Sequence, residues 1–342
     1  MSEYVMTEEE LNAAFAKERH LAAPIFEDCP CYPVEDIVEL VKLQHSVWQE
    51  KDLAERARKL EAFVAKRNAM KPKADAPQKV YLWPEGRVPT YSMYFRNEDY
   101  RYNRDPGFEP YLYELLLPED VTPKGAVLVC AGADHGDAQV HEGYQTCRDF
   151  LKMGYQTFLL CNRTNACPWH AIDTGADVAR ALRMIRKNAD KYRIKADNVA
   201  FAGFSNGGLS GEDNIQYYSG SKSLNDYYPN YVPDELDTYY GAPDAFLCVY
   251  GPRFVGGKFD FTGVVYPPTF FAVGRKDTAL DNFNYAYPTL LEHNVPVEIH
   301  TFAGVPHGQA GIAILDGESR YPNFQLWLPL ADAFLQDVFH NK

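Results

Sequence analysis

The chain has 342 residues, 46% of them hydrophobic and 24% charged, and its formal net charge is −13 at pH 7. This acidic balance argues against nucleic acids and anionic membrane surfaces as partners, and it favours neutral esters over polyanionic substrates. No apolar run reaches the roughly 18 residues that a membrane span requires, and the amino terminus lacks the basic and apolar regions of a secretory signal.

Cysteine, histidine and glycine patterns narrow the chemistry further. The seven cysteines are odd in number and scattered, which favours reduced thiols and a cytoplasmic location. The sequence has no P-loop, no dinucleotide-binding fingerprint and no paired cysteine or histidine spacing typical of zinc. A weak indication of a metal site comes from three residues that could act as ligands: Asp134, His135 and His141. We therefore expect no cofactor and no metal.

Residues 1–75 are expected to form a helical extension that ends in a linker. Thr7 precedes a helix in which Glu10 stands three residues later, which is the arrangement of a capping box. Apolar residues then recur at helical spacing: Val34, Ile37, Val38, Val41, Leu53, Ala57, Leu60 and Val64. Residues 71–77 are typical of a linker before a catalytic domain at 76–342. The extension is a candidate for covering the active site, for mediating a homodimer or for packing on the sheet.

The apolar run at 126–130 predicts a strand, and a loop of small residues follows it. Small residues let the backbone approach a substrate, and a loop in this place supplies one backbone N–H to the oxyanion of an acyl-transfer intermediate. Gly132 and Ala133 are the candidates for that donor. Asp134 and His135 add polar groups beside them, and we expect these to contact the substrate.

Residues 199–208 carry the most informative motif of the chain. An apolar run there ends in GFSNG at 203–207, which matches G-x-S-x-G, the nucleophile elbow. In an elbow, a sharp turn between a strand and a helix exposes the serine hydroxyl, and the flanking glycines avoid steric clashes. The motif predicts Ser205 as a nucleophile and the N–H of Asn206 as an oxyanion donor.

A tyrosine-rich, cap-like insertion is expected at about 212–243, before a strand at 245–250. Tyrosine combines a flat apolar face with a polar rim, which suits sugars and aromatic acyl groups. Tyr227 and Tyr228 are therefore candidates for substrate contacts. Large aliphatic residues are scarce in the insertion, which argues against a long-chain lipase. A tyrosine-rich cap with its own packing is an equally good interpretation.

The serine needs a base and an orienting acid, and both follow it in the chain order Ser, Asp, His. A buried strand at 267–274 leads to Asp277, and a further strand at 295–302 leads to His307. Both residues fall just past the carboxyl ends of strands, where sites form in open α/β sheets. Asp281 is an alternative acid that lies farther from its strand.

Together these segments resemble the α/β-hydrolase superfamily, in particular its esterase branch of carbohydrate acetyl esterases and feruloyl esterase-like enzymes. The resemblance covers roughly residues 110–342 and rests on four segments: 126–136, 173–208, 269–277 and 303–308. It implies an α/β-hydrolase fold with a mostly parallel central sheet and helices on both faces. It also implies Ser205 as nucleophile, Asp277 as orienting acid and His307 as base. The loop around Gly132 departs from the family, because alanines replace its consecutive glycines.

The sequence therefore predicts a serine hydrolase that cleaves a short-acyl carboxylic ester through an acyl-enzyme intermediate. An acetylated sugar or an aromatic ester is the expected small-molecule substrate. The same triad would also serve an acyltransferase with a sugar or alcohol acceptor, or a peptidase. A non-catalytic binding protein on a hydrolase scaffold is a further alternative, although all three triad positions are filled.

Overall fold

The computed structural model describes residues 6–89, 108–132, 136–163, 171–252, 254, 259–310 and 321–341. An eight-stranded sheet lies at the centre, with the strand order β1-β2-β4-β3-β5-β6-β7-β8. The strands are β1 Val80–Tyr81, β2 Tyr111–Leu115, β3 Ala126–Cys130, β4 Gln156–Cys161, β5 Val199–Phe204, β6 Ala245–Val249, β7 Thr269–Gly274 and β8 Val297–Phe302. The pairs β1–β2 and β2–β4 are antiparallel, and the remaining pairs are parallel. The predicted mostly parallel sheet is thereby confirmed.

The middle strands are largely apolar because both of their faces are covered. β3, β4, β5, β6 and β7 are buried at every position. The register pairs Cys130 of β3 with Gly203 of β5, and Gly203 with Cys248 of β6. The carboxyl ends of these three strands therefore lie side by side, and the loops that follow them meet at one edge of the sheet.

Helices connect and flank the strands. They are α1 Glu8–Glu27, α2 Val34–Gln49, α3 Leu53–Ala69, α4 Gln145–Lys152, α5 Ala171–Lys187, α6 Ala189–Tyr192, α7 Asn206–Tyr218, α8 Leu280–Glu292 and α9 Trp327–His340. A short π-helix, Gln139–Tyr144, precedes α4. α5 and α7 approach closely, since a Cβ at Gly175 would lie 2.8 Å from the carbonyl oxygen of Asp213. This contact fixes the direction of α7, which begins directly after the elbow.

The amino-terminal helices pack against the region that follows β3. The predicted capping box of α1 is confirmed: the N–H of Glu10 donates to the Thr7 hydroxyl over 3.2 Å, and the N–H of Thr7 donates to Glu10 over 2.8 Å. The thiol of Cys29 donates to a carbonyl of the π-helix, and His45 of α2 bonds Asp137 over 2.9 Å. The extension therefore contacts the catalytic domain beside β3, and a homodimer through these helices stays a prediction.

The insertion between α7 and β6 begins later than the sequence predicts. We expected it to start at about residue 212, but α7 continues to Tyr218, so the insertion occupies residues 219–244. The helix continues because Asn214 is buried and donates to the carbonyls of Gly175 and Gly241 over 3.2 and 2.8 Å. The bond to Gly175 holds this part of α7 against α5, and the bond to Gly241 attaches it to the insertion.

Ion pairs attach the insertion to α5. Arg180 donates to Asp234 over 2.8 Å, and Arg183 donates to Asp237 over 2.7 Å. Residues three apart lie on the same face of a helix, so both arginines reach the insertion from one side of α5. Hydrogen bonds between charged groups are stronger than neutral ones, and here they set the position of a segment that has only short 3₁₀ turns of its own.

Candidate active site

A tight turn between β5 and α7 carries Ser205. This residue has φ +49° and ψ −117°, a strained conformation that non-glycine residues rarely adopt outside functional sites. A Cβ at Gly203 would lie 2.5 Å from the carbonyl oxygen of Gly207, and a Cβ at Gly207 would lie 2.1 Å from that of Cys130. Only glycine fits at either position. The strand, turn and helix thus have the geometry of a nucleophile elbow.

Three side chains form a continuous hydrogen-bonded chain at this edge of the sheet. His307 Nε2 lies 2.9 Å from Ser205 Oγ, and His307 Nδ1 lies 2.9 Å from each carboxylate oxygen of Asp277. Because a carboxylate only accepts hydrogen bonds, Nδ1 carries the proton and donates to Asp277. In the neutral imidazole, Nε2 is then an acceptor, and the Ser205 hydroxyl donates to it. In this arrangement a base can take the proton of an attacking serine.

Burial and charge act in opposite directions on His307. Burial lowers the pKa of its imidazole, whereas the hydrogen bond and negative charge of Asp277 raise it, with a further contribution from the charge of Glu142. The net result is a pKa above the ordinary histidine value. The Asp277 side chain is 0% exposed, whereas the His307 side chain is 40% exposed. The acid is therefore shielded from water while the base can reach a substrate.

Of the two acids that the sequence left open, the structure brings Asp277 to His307. Asp277 lies three residues after β7, and its Oδ1 also accepts the N–H of Ala279 over 2.7 Å. This second bond fixes the orientation of the carboxylate. Asp281 lies in the first turn of α8.

The predicted oxyanion donors stand in different environments. Asn206 is the first residue of α7, where backbone N–H groups point out of the helix and favour negative charge. Gly132 approaches the nucleophile, since a Cβ there would lie 2.7 Å from Ser205 Cβ. The N–H of Gly132 donates to Glu142 Oε2 over 2.7 Å, so a carboxylate already engages the donor that the sequence offered to the oxyanion. The predicted residues Ala133, Asp134 and His135 lie outside the described residues.

Two residues that are not among the predicted site residues border the triad. Tyr250, directly after β6, has φ +43°, and its ring centroid lies 4.8 Å from that of His307. Its hydroxyl donates to Glu142 Oε1 over 2.8 Å. The place of Tyr250 at the carboxyl end of a buried strand was a signal for it. The contacts of Glu142 had no comparable signal, because its partners Gly132 and Tyr250 are far from one another in the chain.

Tyr227 and Tyr228, the predicted substrate contacts, line a cavity of about 490 Å³ beside α5. One wall comes from residues 83–89, which follow β1, and the other comes from residues 227–234 of the insertion. Among the described residues that line this cavity, none belongs to the triad. The structure therefore brings the two tyrosines together in one cavity and does not bring them into contact with Ser205.

Side-chain bonds attach both walls of this cavity to α5. Trp83 Nε1 donates to Asp177 over 2.9 Å, and the Tyr228 hydroxyl donates to Asp173 over 2.5 Å. The guanidinium of Arg180 lies 5.0 Å from the Trp83 ring centroid, a cation–π contact. Asp173 belongs to the first turn of α5, the end of the helix that follows the carboxyl end of β4. One side of the cavity is therefore attached to the first turn of α5.

In the described part of the chain, no three His, Cys, Asp or Glu side chains lie close enough together to hold a metal ion. Among the same residues, no helix combines the length and the apolar character of a membrane span. The chemical groups that the described site offers are a serine hydroxyl, an imidazole, carboxylates and backbone N–H donors.

Comparison with known sequences finds a distant relative. No protein-family model matches the chain. Endo-1,4-beta-xylanase B of Butyrivibrio fibrisolvens is 33% identical over 116 residues, which are 33% of this chain and 18% of that protein. The chain thus matches less than a fifth of the length of this curated relative.

Solved structures resemble the chain over a much larger part of its length. The acetyl ester-xyloside bifunctional hydrolase of Caldicellulosiruptor lactoaceticus has a TM-score of 0.58 and 20% identity, covering 78% of this chain and 98% of that one. Esterase 2 of Thermogutta terrifontis, solved with propionate bound, has a TM-score of 0.53 and 17% identity, covering 78% and 96%. Taken with the strand order and the elbow after β5, these similarities show that the chain has the α/β-hydrolase fold.

Proposed function

We propose that the protein is a serine hydrolase that cleaves short-acyl carboxylic esters through an acyl-enzyme intermediate. The observation that carries this proposal is the hydrogen-bonded chain from Ser205 through His307 to Asp277, with contacts of 2.9 Å at both steps. A serine on a strained elbow, beside an imidazole whose other nitrogen donates to a buried carboxylate, is prepared for acyl transfer.

The first half of the proposed reaction forms the acyl-enzyme. His307 Nε2 takes the Ser205 proton as Oγ attacks the ester carbonyl, and Asp277 stabilises the imidazolium that results. The N–H of Asn206, at the positive end of α7, stabilises the oxyanion. His307 then gives its proton to the leaving alcohol.

The second half releases the acid. A water molecule takes the place of the alcohol, which the partial exposure of His307 allows. His307 accepts a proton from this water as it attacks the acyl carbon, and the N–H of Asn206 stabilises the second oxyanion. Collapse of the intermediate frees the carboxylic acid and returns the proton to Ser205.

Acetylated carbohydrates are the substrate class that the similar proteins favour. One of them is named an acetyl ester-xyloside bifunctional hydrolase, and another is named a xylanase. The Thermogutta esterase has been solved with propionate and with butyrate, which are short acyl groups. The net charge of −13 also favours a neutral ester. We therefore propose a sugar ester with an acetyl or similarly short acyl group.

The cavity beside α5 supports a sugar as the alcohol part of the ester. Its described lining combines aromatic rings with polar side chains: Trp83, Arg87, Tyr227, Tyr228, Asn230, Tyr231 and Asp234. Aromatic faces pack against the C–H face of a sugar ring, and the polar groups can bond its hydroxyls. Tyr228 is 8% exposed and its hydroxyl is bonded, whereas Tyr227 is only partly buried. We therefore assign the sugar contact to Tyr227 and a supporting role to Tyr228.

Hydrolysis of p-nitrophenyl acetate, butyrate and octanoate by wild type and Ser205→Ala tests the proposed chemistry. We expect wild type to prefer the acetate and Ser205→Ala to lose several orders of magnitude in kcat. Ser46→Ala is the matched control, because the Ser46 hydroxyl donates to Leu43 within α2. Retention of activity by Ser205→Ala to within about tenfold of wild type would contradict the scheme.

Acetate release from acetylated xylo-oligosaccharides tests the proposed sugar. We expect wild type to release acetate from them and Ser205→Ala to release none above background. Activity on p-nitrophenyl acetate without release of acetate from the oligosaccharides would contradict the proposed carbohydrate substrate. It would not contradict the proposed serine chemistry.

A further inference from the structure

Glu142 is a buried carboxylate that joins two loops of the candidate site. It lies in the π-helix that follows β3 and is 4% exposed. Its Oε2 accepts the N–H of Gly132 over 2.7 Å, and its Oε1 accepts the hydroxyl of Tyr250 over 2.8 Å. Each carboxylate oxygen therefore holds a donor from a different loop at the carboxyl edge of the sheet.

The Gly132 side of this arrangement reaches the nucleophile. A Cβ built on Gly132 would lie 2.7 Å from Ser205 Cβ and 2.8 Å from Glu142 Oε2. No side chain fits into this space, so the backbone at Gly132 is the spacer between the serine and the carboxylate. Loss of the bond to Glu142 would let this backbone move relative to Ser205.

The Tyr250 side reaches the loop that carries the base. The Tyr250 hydroxyl accepts the N–H of Ala310 over 3.3 Å while it donates to Glu142. Ala310 lies three residues after His307, and the ring of Tyr250 packs against the imidazole with a centroid distance of 4.8 Å. Phe204, which precedes the nucleophile, packs on the same ring at 6.0 Å. Tyr250 therefore contacts both the nucleophile turn and the histidine loop.

We propose that Glu142 is a positioning residue whose carboxylate holds the loop after β3 against Ser205 and, through Tyr250, holds the loop that carries His307. This inference rests on the proposed serine hydrolase function. One side chain thereby sets the spacing of two loops that approach the nucleophile from different strands. The negative charge of Glu142 also contributes to the raised pKa of His307, which favours the imidazolium formed during attack.

Glu142→Gln tests this role, because it keeps the size of the side chain and removes its charge. Only one of the two donors can then be accepted by the remaining oxygen. We expect kcat for p-nitrophenyl acetate to fall about tenfold to a hundredfold, as small displacements of reacting groups do, with KM near that of wild type. Because an anion raises the pKa of a nearby histidine, its removal should move the acid limb of kcat/KM to lower pH.

Tyr250→Phe tests the loss of the hydroxyl's hydrogen bonds without a change in the charge of Glu142. It removes the hydroxyl but keeps both the ring beside His307 and the carboxylate of Glu142. We expect kcat to fall while the acid limb of kcat/KM stays at the wild-type pH. This variant also decides the matter if Glu142→Gln does not fold, since a folded Tyr250→Phe with wild-type kcat would overturn the proposal.

A second buried Glu–Tyr pair provides the matched control. Glu212 of α7 is fully buried, and its Oε1 accepts the hydroxyl of Tyr266 over 2.7 Å. We expect Glu212→Gln and Tyr266→Phe to lower the melting temperature to a similar extent as the two variants above, but to keep the wild-type kcat and acid limb. Equal losses of kcat at both pairs would overturn the proposal, because the effect would then be general destabilisation.

The rate at which a fluorophosphonate labels Ser205 gives a readout that needs no ester substrate. We expect slower labelling of Glu142→Gln and Tyr250→Phe than of wild type and Glu212→Gln. Absence of labelling in wild type would overturn the proposed function itself. Labelling of wild type together with equally fast labelling of Glu142→Gln and Tyr250→Phe would overturn only the role of Glu142.

Discussion

The carboxyl edge of the sheet and the cavity beside α5 are held together in different ways. At the edge, Ser205, Asp277 and His307 stand on loops that follow β5, β7 and β8, so the backbone of the sheet positions them. At the cavity, the walls are residues 83–89 and 227–234, which individual side-chain bonds attach to α5. The geometry of the carboxyl edge is thus set by the backbone of the fold, whereas the shape of the cavity depends on particular pairs of side chains.

This difference indicates which functions can vary independently. A change at the edge alters turns that the sheet requires, and it should affect the chemistry of every ester. A change in the cavity removes one contact from a site that the triad does not line, and it should affect only larger substrates. Residues at the carboxyl edge should therefore determine the reaction, and residues of the cavity should determine which esters are accepted. This agrees with the general rule that one fold can carry sites of many specificities.

The largest expected effect concerns the acid at the edge. Asp277→Asn keeps the shape of the side chain but presents an amide donor to His307 Nδ1, so the imidazole adopts the tautomer that cannot accept from Ser205. We expect kcat to fall about 10⁴-fold for every ester. Asp281→Asn, in the first turn of α8, should keep wild-type kcat. A loss confined to Asp281→Asn in steady-state kinetics would reverse the assignment of the acid.

A buried ion pair links the edge to the cavity, and its loss should be costly. Arg163, after β4, donates to Asp177 over 2.8 Å, with both side chains almost fully buried, and Trp83 donates to the same carboxylate. Asp177→Ala removes the buried carboxylate that accepts from both the Arg163 guanidinium and Trp83, so we expect the free energy of unfolding to fall by about 3–5 kcal/mol. Lys191→Ala breaks an exposed pair with Glu114 and should cost less than about 1 kcal/mol. Urea unfolding measures the free energy of unfolding of both variants, and similar losses for Asp177→Ala and Lys191→Ala would contradict this prediction.

Removal of one cavity ring should separate selectivity from chemistry. Tyr227→Ala removes a partly buried ring from the proposed sugar site. We expect KM for acetylated xylo-oligosaccharides to rise about threefold to tenfold, as expected for the loss of one aromatic contact, and kinetics with p-nitrophenyl acetate to stay unchanged. Tyr285→Ala, which truncates a half-exposed tyrosine of α8, is the control. An equal rise of KM in both variants, or a loss of activity on p-nitrophenyl acetate in Tyr227→Ala, would remove the cavity from the substrate path.

The pH dependence of kcat/KM for a small ester tests the electrostatics of the triad at the carboxyl edge and does not involve the cavity. His307 must be neutral to act as a base, so activity is lost as the pH falls through its pKa. Because that pKa is raised above the ordinary value of 6.5, the acid limb should lie at higher pH than for an unperturbed histidine. Protonation of the same group stabilises the folded state at low pH, and this stabilisation is lost as the pH rises through the raised pKa. An acid limb below 6.5 in wild type would contradict the predicted shift.

The difference between the two regions also explains which features of the structure could be predicted from the sequence alone. The elbow, Asp277 and His307 each follow a buried strand, so local pattern and chain order were sufficient to bring them to one edge. The contacts of Glu142 with Gly132 and Tyr250 join segments that are distant in the chain, and no periodicity encodes such a meeting. The later start of the insertion has the same origin, since tertiary bonds of Asn214 extend α7.

The smallest expected effect concerns the helical extension. His45 of α2 bonds Asp137, five residues beyond Gly132, over 2.9 Å. Burial raises the pKa of Asp137, but the bond to His45 and nearby positive charges lower it to about 2. A lowered carboxyl pKa stabilises the folded state above the ordinary value of 3.8, and this stabilisation disappears as the pH falls towards 2. The pair should therefore help to hold the extension on the fold at neutral pH.

His45→Ala should lower the free energy of unfolding by about 1 kcal/mol at neutral pH and leave kcat close to that of wild type. The difference in melting temperature between His45→Ala and wild type should shrink as the pH falls below 3.8. His340→Ala, which truncates an exposed side chain at the end of α9, should have almost no effect. If His45→Ala lowered kcat as much as Glu142→Gln, the extension would belong to the carboxyl edge, and the edge could no longer be described as a property of the sheet alone.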